Sequence, residues 1–78
     1  MVSDARRREV RRFYRQARLA VDKTQIQVEA SARLYAGQFW KIEHGFTFPN
    51  ADERARLAKV LKVNEADLPT ESVMAQAS

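Results

Sequence analysis

The chain has 78 residues, a net charge of +4, one histidine and no cysteine, which fits one small domain without a disulfide framework or a zinc site. No apolar run approaches the roughly 18 residues that cross a membrane. Because the arginine-rich start of the chain lacks the apolar segment of a signal peptide, we expect a cytoplasmic location.

The positive charge is concentrated at the start of the chain. Residues 1–23 carry eight basic and three acidic side chains, whereas residues 24–50 are neutral and residues 51–78 have a net charge of −1. Such a basic segment suits a polyanion such as nucleic acid. A solvated helix face would have the same composition.

The first predicted helix covers about residues 4–21. Its apolar side chains recur on one face at helical spacing, and they are Val10, Tyr14, Ala17 and Val21. Arginines cluster on the other side of this helix and include Arg11 and Arg12. If this helix lies beside a nucleic acid, we expect both side chains to contact phosphates.

Residues 24–45 have the layout of a helix-turn-helix, with predicted helices over about 25–32 and 36–44. Thr24 can cap the first of them, and Gly45 can end the second because glycine tolerates a left-handed backbone. The apolar rhythm changes phase near Arg33, as two helices require and one continuous helix does not. Gln38 and Lys41, three residues apart, are expected to share an exposed face of the second helix.

The remainder of the chain predicts two more helices. Asn50 can cap a fourth helix, with Glu53 at the capping-box position, and Asn64 can cap a short fifth helix that ends before Pro69. The expected fold is therefore all-α, with five helices in one domain over residues 1–69. Residues 70–78 are expected to form a flexible tail.

Between about residues 10 and 68 the chain resembles the Cro/C1-type family of helix-turn-helix proteins, which have the lambda-repressor-like fold. The residues that carry the resemblance are Thr24, Gln25, Val28, Leu34, Phe39, Ile42, Glu43, Gly45 and Pro49, followed by the run Leu57–Leu61, Val63 and Leu68. The resemblance implies that the helix over 36–44 enters the major groove of duplex DNA.

The resemblance also implies roles for individual residues. The expected base contacts are Ala36, Gly37, Gln38 and Lys41. The expected phosphate contacts are Gln25, Tyr35 and His44, to which the basic first helix adds Arg11 and Arg12. Arg18 and Glu43 are expected to form an ion pair that joins the first helix to the third.

Three positions depart from the family pattern. Arg33 stands where the turn normally has glycine, and a left-handed backbone there would cost about 1 kcal/mol, so a differently built turn is expected. Glu29 replaces a small residue and is expected to be poorly placed unless Ala30 takes its position. The loop 46–48 is Phe-Thr-Phe where basic residues are common.

The sequence therefore predicts a sequence-specific DNA-binding protein that regulates transcription, as a repressor. A pseudo-palindromic operator and a homodimer are expected, and the apolar groups available for a dimer are Phe46, Phe48, Val73 and Met74. No catalytic arrangement or phosphate-binding glycine loop is visible, so neither enzyme activity nor a cofactor is expected. The alternatives are a protein-interaction module on the same fold, of the antirepressor or antitoxin kind, and an RNA-binding protein that uses the first helix.

Overall fold

The computed structural model describes residues 3–70, which contain helices and no strand. The elements are helices α1 (Asp4–Ala20), α2 (Gln25–Ser31), α3 (Gln38–Glu43) and α4 (Ala51–Leu61), followed by a 3-10 turn over Glu65–Asp67. The predicted all-α class is confirmed. The predicted short fifth helix is a single 3-10 turn, and the Asn64 side chain makes no capping hydrogen bond to it.

The helix starts follow local capping signals. The Ser3 side chain accepts a hydrogen bond from the Arg6 backbone N–H at 3.1 Å and caps α1. Thr24 forms a reciprocal capping box with Gln27 at the start of α2, and Asn50 forms one with residue 53 at the start of α4. These boxes satisfy N–H groups that a helix start leaves without partners.

Helix α3 is shorter than predicted and begins two residues later. Gly37 has a φ of +84°, so Ala36 and Gly37 belong to the connection rather than to the helix. The Glu29 carboxylate accepts a hydrogen bond from the Phe39 backbone N–H at 3.1 Å and thereby caps α3 from the neighbouring helix. The expectation that Glu29 is poorly placed is therefore wrong.

The turn after α2 is left-handed even though it lacks glycine. Arg33 has a φ of +58°, its N–H donates to the Ala30 carbonyl at 3.2 Å, and the Leu34 N–H donates to the Glu29 carbonyl at 2.9 Å. This is the Schellman arrangement, which gives partners to carbonyl groups at a helix end. These bonds offset the cost of the left-handed arginine, so the expectation of a differently built turn is wrong.

The core lies between helices α1, α2, α3 and α4. Ten apolar side chains are buried there, namely Val10, Tyr14, Val28, Ala32, Phe39, Ile42, Leu57, Ala58, Leu61 and Leu68. The ring of Tyr14 meets that of Phe39 edge-on at a centroid distance of 5.8 Å, a favoured geometry for aromatic pairs. Helix α3 is therefore anchored to both α1 and α2 through its apolar face.

The last described residues pack back onto the bundle. Leu68 is 2% exposed and closes the core, and the Arg6 guanidinium donates to the Thr70 carbonyl at 2.9 Å. Of the tail predicted over residues 70–78, the structure describes only Thr70. Residues 71–78, among them Val73 and Met74, lie outside the described residues. Among the described helices, none combines the length and the apolar character needed to cross a membrane.

Candidate nucleic-acid interface

Helix α3 buries one side and presents the other to solvent. Phe39 and Ile42 are 0% and 1% exposed and hold the helix against the core. The outward positions recur at helical spacing and define what we call the α3 stripe: Gly37, Trp40, Lys41 and His44. The first three are exposed and His44 is half-buried.

The prediction that Gln38 lies on the exposed face is wrong. Its side chain is buried, and its Oε1 accepts from the Tyr35 backbone N–H at 3.0 Å while its Nε2 donates to Glu53 Oε2 at 2.6 Å. Hydrogen bonds from the Asn50 backbone and from Gln38 lower the pKa of the Glu53 carboxyl. The amide of Gln38 therefore joins α3 to the start of α4 instead of facing a ligand.

Trp40, rather than Gln38, faces outward beside Lys41 on α3. Its indole stacks on the His44 ring at a centroid distance of 4.2 Å and on the Phe46 ring at 5.8 Å, and it remains 48% exposed. The indole therefore packs on the loop and keeps about half of its surface exposed, a feature that the sequence analysis did not predict. The helical spacing from Gly37 to Trp40 was the signal for it.

The ion pair implied by the resemblance is present and almost buried. Arg18 Nε donates to Glu43 Oε1 at 2.9 Å, and the two side chains are 14% and 3% exposed. Gln25 Nε2 donates to Glu43 Oε2 at 2.8 Å. Gln25, an expected phosphate contact, therefore directs its amide to Glu43, and this cluster ties α1 and the start of α2 to the end of α3.

The basic side of α1 lies beside the end of α3. A Cβ atom at Gly45 would be 3.1 Å from Arg7 Cα, which shows how closely the two backbones approach. A cleft of about 240 Å³ opens next to this contact, and it is lined by Asp4, Arg7, Arg8, Arg11, His44 and Phe46. The structure thus places Arg11 and His44 at one site, whereas Arg12 is exposed outside this lining.

Arg7 and Arg11 differ in their contacts within the cleft, and the His44 imidazole has a defined orientation. Arg7 pairs with Asp4 and lies over the Phe46 ring at 5.4 Å, whereas Arg11 is exposed. His44 Nδ1 lies 2.9 Å from the Trp40 carbonyl oxygen. Because a carbonyl only accepts hydrogen bonds, this nitrogen carries the proton. The other nitrogen, Nε2, takes no part in this hydrogen bond.

The other expected contact residues surround the start of α3. Tyr35 is 59% exposed, and Ala36 is exposed in the same connection. Lys41 makes no ion pair within residues 3–70. The same range holds no group of three or more histidine or acidic side chains that could bind a metal ion.

Comparison with known proteins identifies no relative of this chain: no protein-family model, no curated protein and no solved structure matches it. Its function is therefore inferred from the geometry and charge of the α3 stripe and the adjoining cleft.

Proposed function

We propose that this chain binds duplex DNA at specific sequences and represses transcription, with α2 and α3 as a helix-turn-helix of the Cro/C1 type. The observation that carries the proposal is that the α3 stripe and the basic cleft adjoin each other, since His44 belongs to both. An α-helix with its side chains is about 10–12 Å in diameter, and it fits a major groove about 12 Å wide. The guanidinium groups would then meet the sugar–phosphate backbone at the edge of that groove.

The proposal assigns different tasks to the two parts of the surface. Lys41 donates to guanine O6 and N7, the acceptors that basic side chains most often read. Ala36 and Gly37 carry no bulky side chain and let the helix start approach the base edges. Arg11 donates to phosphates, and His44 does so as an imidazolium, in which Nε2 also carries a proton. These contacts position the helix but carry no sequence information.

Charge balance supports a polyanionic ligand at this surface. Arg8, Arg11, Arg12 and Arg15 are all exposed on α1, and they form no ion pair within residues 3–70. Acidic side chains balance basic ones elsewhere in the chain. Neutralising phosphates with these cations releases counterions and supplies most of the non-specific affinity.

The proposed binding unit is a dimer on a pseudo-palindromic operator, with half-sites about one helical turn apart. Of the loop residues considered for the dimer contact, Phe48 packs against the core. Phe46 is 62% exposed and is the described residue that remains available for a second copy.

Selection of bound duplexes from a random pool tests the proposal. We expect enrichment of a two-part site, and fluorescence anisotropy of a labelled enriched duplex should show affinity that falls as salt rises. A pool that stays random, together with equal affinity for every duplex, would refute sequence-specific binding.

A protein-interaction module is the second candidate, and one observation favours it. Trp40 and Phe46 form an exposed aromatic patch. Exposed apolar patches often mark surfaces that bind other proteins. If this candidate is correct, selection from the random pool should enrich no duplex.

The same anisotropy assay with structured RNA as competitor separates duplex binding from RNA binding through α1.

A further inference from the structure

An exposed indole stands in the middle of the basic surface. Trp40 is next to Lys41 on the α3 stripe, and its stacking partner His44 lines the cleft together with Arg11. A large apolar side chain that is 48% exposed adds nothing to the attraction for phosphates. Because it lies within the surface proposed to bind DNA, it can contact an apolar group of that ligand.

The indole is held in one orientation before any ligand binds. Its ring is within 23° of parallel to the His44 ring and within 14° of parallel to the Phe46 ring. His44 is fixed in turn by its hydrogen bond to the Trp40 carbonyl, and Phe46 lies under the Arg7 guanidinium. A side chain fixed in this way loses little conformational entropy on binding.

Only one group in the major groove of DNA is apolar. The base edges there present hydrogen-bond donors, acceptors and the C5-methyl group of thymine. The cations around Trp40 match the phosphates that flank such a methyl group, whereas a protein partner would need an acidic rim around an apolar centre.

We infer that Trp40 is a specificity-determining residue that recognises thymine through its C5-methyl group. The inference rests on the proposed binding of duplex DNA by α3. Lys41 and Trp40 then read neighbouring base pairs by different means: the lysine by hydrogen bonds to guanine, and the indole by contact with a methyl group. Deletion of the methyl group alone should therefore weaken binding.

Deoxyuridine in place of thymine removes that methyl group and leaves the base pairing intact. In the selected duplex, each thymine is replaced in turn and the dissociation constant is measured by anisotropy for the wild-type chain and for Trp40→Ala. We expect one position per half-site at which the wild-type chain loses about fourfold in affinity, the equivalent of one buried methyl group. Trp40→Ala should bind thymine and deoxyuridine equally at that position.

Leu19→Ala is the matched control, because Leu19 is an apolar residue of similar exposure, 57%, on α1. This variant should keep the wild-type preference for thymine. A wild-type chain that is indifferent to every replacement would overturn the inference, and so would a Trp40→Ala variant that is as sensitive as the wild type.

A second measurement needs no variant. Trp40 is the only tryptophan of the chain, so its fluorescence reports on this site alone. Binding of the selected duplex should protect the indole from quenching by acrylamide. Unchanged quenching at saturating duplex would place Trp40 outside the interface, while the anisotropy would still show DNA binding. If no duplex binds at all, the proposed function itself fails.

Discussion

Tyr14 places a hydroxyl group inside the apolar core without a partner. The residue is 0% exposed, and its hydroxyl has no hydrogen bond. Leaving a buried polar group unpaired costs about 1–3 kcal/mol. We therefore expect Tyr14→Phe to keep or raise the free energy of unfolding, by up to about 1 kcal/mol, as measured by urea denaturation at neutral pH. A loss of more than about 1 kcal/mol would contradict this account.

The same hydroxyl makes stability depend on alkaline pH. Burial raises the pKa of Tyr14 far above its ordinary value of 10.0, and the Arg54 charge opposes this only in part. Above pH 10.0 the unfolded chain ionises this group while the folded chain keeps it neutral, so stability falls as the pH rises. Tyr14→Phe should remove part of that fall. Tyr35→Phe, at an exposed tyrosine, is the control.

Lys41 is the residue to which the proposed function assigns base recognition. Lys41→Ala should lose about 1–3 kcal/mol of binding free energy at the selected duplex and relax the preference at one base pair per half-site. The free energy of unfolding should barely change, because the side chain is exposed. Binding and selection assays measure the first two effects, and urea denaturation measures the third.

Lys59→Ala serves as the control for Lys41→Ala, since it removes the same charge from an exposed position on α4. Equal weakening of all duplexes by Lys41→Ala would instead identify a phosphate contact. Unchanged binding would show that α3 does not read the DNA.

At the scale of elements, the end of α3 is constrained by its contact with α1. Gly37 and Gly45 both have positive φ values, +84° and +77°, but only Gly45 lies against the backbone of Arg7. Gly37→Ala should cost about 1 kcal/mol for the left-handed backbone. Gly45→Ala should cost about 2–4 kcal/mol, because the steric overlap adds to that penalty. Equal losses in urea denaturation would mean that the two helices can move apart.

The ion pair between α1 and α3 is the second constraint on this helix. Arg18→Ala should lower the free energy of unfolding by about 3–5 kcal/mol, since it leaves the buried Glu43 carboxylate without its cation. Glu43→Gln should cost less, because the new amide oxygen can still accept from Arg18, and its NH2 group can donate to the Gln25 amide oxygen once the Gln25 amide rotates. A double-mutant cycle in urea measures the coupling. A cost below about 1 kcal/mol for Arg18→Ala would be typical of a solvent-exposed pair.

At the scale of the whole molecule, the orientation of α1 determines which arginines face the proposed DNA. Each phosphate neutralised adds about 0.9 to the negative slope of log affinity against log salt. Arg11 lines the cleft and Arg12 does not, although both are exposed and carry the same charge. Arg11→Ala should therefore reduce the magnitude of the slope by about 0.9, the contribution of one phosphate. Arg12→Ala should reduce it by less. The reverse order would place the DNA on another side of α1.

The parts of the fold that the sequence predicted correctly depend on contacts between near neighbours. The caps at Thr24 and Asn50 use partners three residues away, and the apolar face of α1 repeats within a few turns. The extent of α3 was less predictable, because Gly37 adopts a conformation outside the helical region. The site was predicted in part: Lys41 faces outward as expected, whereas Gln38 does not.

Spacing and composition are enough to predict the all-α class, the start of each α-helix except α3, and the basic character of α1. Which polar side chains bond to other parts of the protein depends on how the helices pack. Gln38 turns inward because the Glu53 carboxylate, fifteen residues further along the chain, lies within hydrogen-bond distance, and Glu29 finds its partner across the turn on α3. Trp40 stays half exposed because Phe39 and Ile42 fill the core side of a very short helix. Burial and hydrogen-bond partners of this kind depend on distances between elements, and local periodicity carries no information about those distances.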